Sequence, residues 1–364
     1  MVGRRKKFIF GIVLKFLACV IRRSLFSVFQ YVILSAERLF QRGVQGMSPT
    51  ICVIGVYFGK LPVYFPIWLK SAGYNESISF LIITDQTLTG LPENVSTVKM
   101  TLAEFKHLAE EKLGFSIVLE RPYKCCDFKP AYGLILADYI VKYEYWAHCD
   151  FDMVFGDIRS FFDEFSLDRY DKVLDLGHLS FYRNTMENNT RFMLPGSECG
   201  DYREVFTSRD SFAFDEWRGV YAIYQKHGFS MFDTKIYADI SKMHKRFTLT
   251  RKDDNYVNQV FVWEKGKVKR YYLQQQTIQN DEYMYMHFKE RGALPYEAEC
   301  QKAEGFFVTN KGFLAMNKSR DIVGVMKRYN RYPGRIYENI EEFKYRAEYI
   351  LFRIRRRLGI VKLR

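Results

Sequence analysis

The sequence predicts an α/β fold on one mostly parallel sheet, from three observations. Short apolar runs alternate with segments of helical periodicity between residues 51 and 157. An acid-x-acid pair, Asp150 and Asp152, closes the last of these runs. The surplus of basic residues lies at the two ends of the chain and leaves a neutral centre long enough for one large core.

The elements follow in order. Residues 51–59, Ile-Cys-Val-Ile-Gly-Val-Tyr-Phe-Gly, read as a buried strand running into a glycine-containing loop, after which Pro62 opens a helix to about residue 72. Residues 79–84 form a second buried strand closed by Asp85. Thr101, with Glu104 three residues on, is a capping box that starts a helix over 101–113. A loop over 121–127 leads to a helix over 129–141, and the strand 143–149 then delivers Asp150. The second half is aromatic-rich. It predicts a strand over 172–179, a helix from Phe214 to about residue 226 and late strands over 271–276 and 283–288, all extending the same sheet.

Side chains alternate along a strand, so Asp150 and Asp152 point the same way beyond its carboxyl end. An acid in an apolar run costs several kcal/mol unless it has a task there. Two hard oxygen ligands suit Mg²⁺ or Mn²⁺, which leave coordination positions for phosphate oxygens and so imply a nucleotide diphosphate ligand. Ligands of such sheets bind beyond the carboxyl ends of the strands, where the loops after Tyr57, Thr84 and Cys149 converge. Gly55-Val-Tyr-Phe-Gly59 lacks the dinucleotide-binding spacing and no Walker loop is present, which excludes most dehydrogenases and P-loop kinases.

Net charge is +13, and residues 1–46 (+8) and 340–364 (+5) account for all of it. Those ends mix the cations with Phe, Leu and Ile, the pattern of interfacial helices on an anionic membrane, and the division is 1–46, 47–339 and 340–364. No run reaches the roughly 20 apolar residues of a spanning helix, and no signal-peptide cleavage site follows Arg4–Lys7. Seven cysteines without framework spacing indicate a reducing compartment, so the expected location is cytoplasmic, on the inner face of the plasma membrane. The neutral centre argues against nucleic acid, despite 26 tyrosines and 32 phenylalanines.

Several pieces, in order, resemble the glycosyltransferases of the GT-A fold found among bacterial capsule and O-antigen genes, and more distantly the glycogenin and galactosyltransferase group. They are residues 51–59, Ile82-Ile-Thr84-Asp85, the run from Tyr123 to Gly133, Asp150-Phe-Asp152, Gly177-His178 and Met286-His287-Phe288. The resemblance implies a single Rossmann-like domain of GT-A type and transfer of a sugar from a nucleotide-diphosphate donor to a hydroxyl of a polysaccharide or lipid-linked oligosaccharide. It implies that Asp150, Asp152 and His287 bind Mn²⁺ or Mg²⁺. It places Thr84 and Asp85 at the nucleoside, Lys129 or Asp127 at the diphosphate or donor sugar, and Lys289 or Arg291 at phosphate. Tyr57 and Tyr123 are candidates to stack on the base. If the reaction inverts, Asp215 or Glu216 is the expected base, unless both merely cap a helix; a retaining route needs none. His178 is expected on the acceptor side. The competing readings are a non-catalytic carbohydrate or cation binder and a metal-dependent nucleotidyltransferase.

Overall fold

The computed structural model describes residues 48–251, 254–289 and 294–357. The expected N-terminal helices and Arg291 lie outside them. Residues Pro49–Arg364 form one compact unit. It is a mixed α/β unit with a large, mostly parallel sheet, compatible with the expected fold.

The first strand, β1 (Ile51–Tyr57), is followed by helix α1 (Phe65–Gly73), strand β2 (Ser79–Thr84), strand β3 (Val95–Lys99) and helix α2 (Leu102–Leu113). Helix α1 begins three residues after Pro62, because Pro66 takes the first-turn position while the Pro62 carbonyl closes a turn onto Phe65. Helix α2 has its capping box at Thr101 and Glu104 and ends at Gly114 in the left-handed region. The expected helix over 129–141 is instead broken into short pieces, a 3₁₀ turn Lys129–Ala131 and the helical turns Tyr132–Ile135 and Ala137–Ile140, with the interruption at Leu136, whose φ −105° and ψ 20° leave the helical region. Then come β4 (Tyr145–Cys149), β5 (Met153–Phe155), β6 (Lys172–Val173) and β7 (Leu179–Arg183). The last two replace the single strand expected over 172–179: Leu174, at φ 71°, turns the chain and folds them into an antiparallel pair.

Strand β8 (Met231–Phe232) completes a seven-stranded sheet of order β3-β2-β1-β4-β7-β6-β8, parallel except where β7 meets β4 and β6. Along β1, Ile51 and Val53 pack into one core and Cys52 and Ile54 into another. The sheet is thus buried on both faces, as parallel sheets require.

The later strands do not extend this sheet. Strand β9 (Ala238–Asp239) belongs to a three-stranded sheet, whereas β10 (Gln259–Glu264), β11 (Lys267–Gln274) and β12 (Thr277–Tyr283) form an antiparallel meander. Strand β13 (Tyr285–His287) sits between β5 and β9, and β14 (Gly305–Thr309) and β15 (Gly312–Ala315) complete a second, five-stranded sheet. Short connections between neighbouring strands favour antiparallel pairing, so this stretch builds its own layer. Helix α3 (Ile322–Tyr329) covers one face of it through Val325 and Met326. Helix α4 (Arg335–Arg357) follows, and no helix among the described residues is long and apolar enough to cross a membrane.

Candidate metal and donor site

Phe151 fixes the acid pair. Its ring lies over β1 at Gly55, where an added Cβ would stand 2.6 Å from it, and stacks on Trp68 at 4.9 Å. Trp68 Nε1 donates to the Asp150 carbonyl at 3.1 Å. With Phe151 anchored in the core, Asp150 and Asp152 are presented to a cavity of about 490 Å³ beyond the ends of β1 and β4.

The small sheet supplies the third group. In its register His287 pairs with Met153 on one side and Asp239 on the other. The imidazole therefore arrives beside Asp152, with Nε2 at 3.3 Å from Oδ2, while Nδ1 is 3.0 Å from Asp239 Oδ1. One ligand atom each from Asp150, Asp152 and His287 lie within 4.8 Å of one another. Two carboxylate oxygens and an imidazole nitrogen suit Mn²⁺ or Mg²⁺, and an Asp239–His287 hydrogen bond through Nδ1–H leaves the Nε2 lone pair toward the acids. His178, Asp239 and His287 are also mutually close. That set is the poorer cage, because Asp239 already accepts from His287, Lys289 and Thr250. Burial works against a charge on His287, but Asp152 and Asp239 outweigh it and raise its pKa to about 9, so at neutral pH Nε2 holds a proton toward Asp152 that a bound metal would displace to free the lone pair. The same field favours a cation at this point.

A second charge cluster adjoins the first. Lys129 Nζ bridges Asp150 Oδ1 at 2.6 Å, Asp215 Oδ2 at 3.0 Å and the Gly177 carbonyl at 2.9 Å. Gly177 is packed so tightly that a Cβ would lie 2.2 Å from Asp215 Oδ2 and 3.1 Å from Glu216 Oε1. Glu216 stands at the N-cap position of the turn Trp217–Tyr221 but makes no capping bond with its side chain, so the capping alternative fails for it. The helix expected from Phe214 starts only there, interrupted by non-helical backbone at Gly219, and continues as Ala222–His227. Burial and then Asp215 push the Glu216 carboxyl up to about 7.

Nine expected residues line this cavity: Tyr57, Tyr123, Lys129, Asp150, Asp152, Asp215, Glu216, His287 and Lys289. Others are placed elsewhere. Asp127 is fully buried, paired with Lys124 at 2.8 Å, and accepts from the backbone N–H of Phe212 and Phe214; it holds the segment that carries Asp215 and does not face the cavity. Thr84 is buried with its hydroxyl accepting from Gln86 N–H, and Asp85 accepts from Gly59 N–H at 3.0 Å, so this pair braces the strand-end loops. Lys129 lines the cavity, yet its ammonium is occupied by the two acids and a carbonyl, which makes it a positioning cation. Asp215 is likewise held by Lys129, leaving Glu216 as the carboxylate suited to proton transfer.

Sequence reasoning missed Asp239 and Trp217. Asp239 carried the same signal as Asp152, an acid inside an apolar run, Ile236-Tyr-Ala-Asp-Ile. The expected His178 lines a second, larger cavity, stacked on His287 at 4.2 Å with its Nδ1 on the Tyr285 hydroxyl at 2.7 Å. The six described cysteines are all free.

A family model described as "Family of unknown function (DUF6625)" matches residues 53–317. No curated protein matches. Among solved structures, the chain is similar to mouse xyloside xylosyltransferase 1 in its apo form, at 8% identity and a TM-score of 0.36, over 53% of this chain and 88% of that one. It is also similar to the galactosyltransferase LgtC in complex with donor and acceptor sugar analogues, at 9% identity and a TM-score of 0.30, over 52% of this chain and 75% of that one.

Proposed function

The chain belongs to the DUF6625 family, and we propose that it is a metal-dependent glycosyltransferase moving a sugar from a nucleotide-diphosphate donor to a hydroxyl of a glycan acceptor. The observation that carries this reading is the convergence of Asp150, Asp152 and His287, with Asp239 behind the imidazole, at the carboxyl end of a parallel sheet and beside a cavity. The exposed Tyr123 ring and Tyr57 flank that cavity and are assigned to the nucleobase, and Lys289 to a phosphate oxygen.

A bound Mn²⁺ or Mg²⁺ would offset the charge that grows on the leaving diphosphate. The chain's own groups do the rest. Lys129 holds Asp150 and Asp215 in place, and Asp215 in turn keeps Glu216 basic. Glu216 takes the proton of the acceptor hydroxyl as that oxygen bonds to the anomeric carbon. The bond from that carbon to the diphosphate oxygen breaks, and the nucleoside diphosphate departs with the electron pair.

The division at residue 46 and the membrane-surface location belong to the same proposal, whereas the boundary expected at 339 falls inside helix α4. Helix α4 supports the membrane-surface location, because Ile336 and Phe343 are 79% and 72% exposed on a segment rich in arginine. Sedimentation of the full chain with phosphatidylglycerol vesicles, but not with phosphatidylcholine vesicles, is the expected result.

Asp152→Asn tests the central claim. Release of nucleoside diphosphate from a panel of nucleotide sugars, with and without Mn²⁺, is expected only in the wild type with metal. Equal turnover in the variant removes the metal site from the reaction, and release of pyrophosphate indicates a nucleotidyltransferase.

A further inference from the structure

Beside the metal cavity lies a second one of about 890 Å³. Ala213, Glu216, His287 and Lys289 belong to both linings and form the wall between them. A hydroxyl that gives its proton to Glu216 can therefore approach from the larger space while the donor occupies the smaller one.

Two features define what the larger cavity accepts. The first is an aromatic platform: Trp217 is 55% exposed, its Nε1 is tied to Asp175 Oδ2 at 2.9 Å and Lys235 Nζ lies 5.7 Å from the ring centroid, so the ring is held and a sugar stacks on the face away from Lys235. A pyranose presents an apolar C–H face to such a ring and hydroxyls around its edge, and a preset ring spends little conformational entropy on binding. The second is electrical. Lys235 is paired with Asp175, Arg270 with Asp281, Lys289 with Asp239, Arg251 with Asp254 and Arg218 with Glu198. Every cation among the described lining residues already has a carboxylate partner. The carboxylates match the cations in number, so a uronate meets no net positive field in this cavity, whereas hydroxyls can add hydrogen bonds to the unused N–H and oxygen positions of those pairs.

We infer that this cavity is the acceptor site for an uncharged glycan whose terminal sugar stacks on Trp217. Its role as acceptor site rests on the transferase reading; its occupant does not.

The tryptophans make the test specific, because Trp68, Trp146 and Trp263 are buried and Trp217 is the exposed member of the four. The full-length protein is titrated with lactose, maltotriose and chitotriose, and separately with trigalacturonate and inorganic phosphate, while tryptophan emission is followed. A saturable change with at least one neutral saccharide is expected, absent in Trp217→Phe at an unchanged melting temperature. By calorimetry, Trp217→Ala should weaken that saccharide about tenfold, the upper end for an aromatic contact. A response to trigalacturonate instead, a phosphate response that is lost in Trp217→Ala, a response to none of the five, or equal saccharide affinity in Trp217→Ala overturns the inference. Asp152→Asn should bind the saccharide as the wild type does. Saccharide binding without any donor turnover would sink the transferase reading and keep this site; turnover without saccharide binding would do the reverse.

Discussion

Asp239→Asn probes the layer behind the proposed metal ligands. In the wild type, Asp239 Oδ1 lies 3.0 Å from His287 Nδ1, while Oδ2 meets Lys289 Nζ at 2.7 Å and the Thr250 hydroxyl at 2.6 Å. The carboxylate fixes the imidazole tautomer by holding the proton on Nδ1, and its charge makes Nε2 a stronger donor to a metal. Asparagine keeps the volume but has one acceptor oxygen and no charge. If that oxygen stays with Lys289, the NH₂ faces Nδ1 and reverses the tautomer. Loss of such a supporting partner weakens metal binding by about 10- to 100-fold, or roughly 1.4–2.7 kcal/mol. Free Mn²⁺ counted by electron paramagnetic resonance during titration measures this, with His287→Asn as the full loss of a ligand and thermal melting as the control for folding. A folded Asp239→Asn protein with wild-type Mn²⁺ affinity would refute the assignment of Asp239 and weaken that of His287.

Three further outcomes are expected. Glu216→Gln should lower kcat at least about 100-fold; in the wild type, kcat/KM should fall tenfold per pH unit below about 7, where the carboxyl is protonated, and level off above it. The raised pKa makes ionised Glu216 a cost to folding that is absent below the unfolded carboxyl range, grows as pH rises toward about 7 and is constant beyond, so the Gln variant should melt no lower than the wild type at pH 8. Gly177→Ala places a Cβ 2.2 Å from Asp215 Oδ2 and should cost about 1–3 kcal/mol of stability together with most of the activity, read by melting and turnover. Lys129→Met leaves Asp215 buried without its cation; about 3 kcal/mol of stability should be lost near pH 8 and much less near pH 4, below the raised pKa of about 6 that burial gives Asp215, and a loss equal at both pH values would contradict the charge argument.

The parallel half of the fold was legible because β1, β2 and β4 are buried on both faces and read as continuous apolar runs beside well-signalled helices. Strand β3 was not, since it is an edge strand with three of its five residues exposed, Val-Ser-Thr-Val-Lys, and looks like a loop. The antiparallel sheet was half legible. The strand expected over 271–276 overlaps β11 only in its second half, because Arg270, buried against Asp281, breaks the alternation in the sequence, and nothing in a strand's own residues states which neighbour it will pair with, so the late strands were assigned to the wrong sheet.

The same limit explains the site. Asp150 and Asp152 stood out because acids in apolar surroundings are costly, a property readable at each position alone, whereas His287 was expected only through the family resemblance. What makes them a set is pairing: β13 sits between β5 and β9 so that His287 meets Met153 and Asp239. A slip of one residue in β13 would put Met286 at that position and turn the imidazole to the opposite face. The proposed metal site is therefore no more secure than that register, which rests on Met286 and Val154 packed in the core shared with the antiparallel sheet and on Tyr285 packed in the core of the main one. The layer that sequence reasoning misassigned is thus the one that brings His287 to the acids that sequence reasoning found.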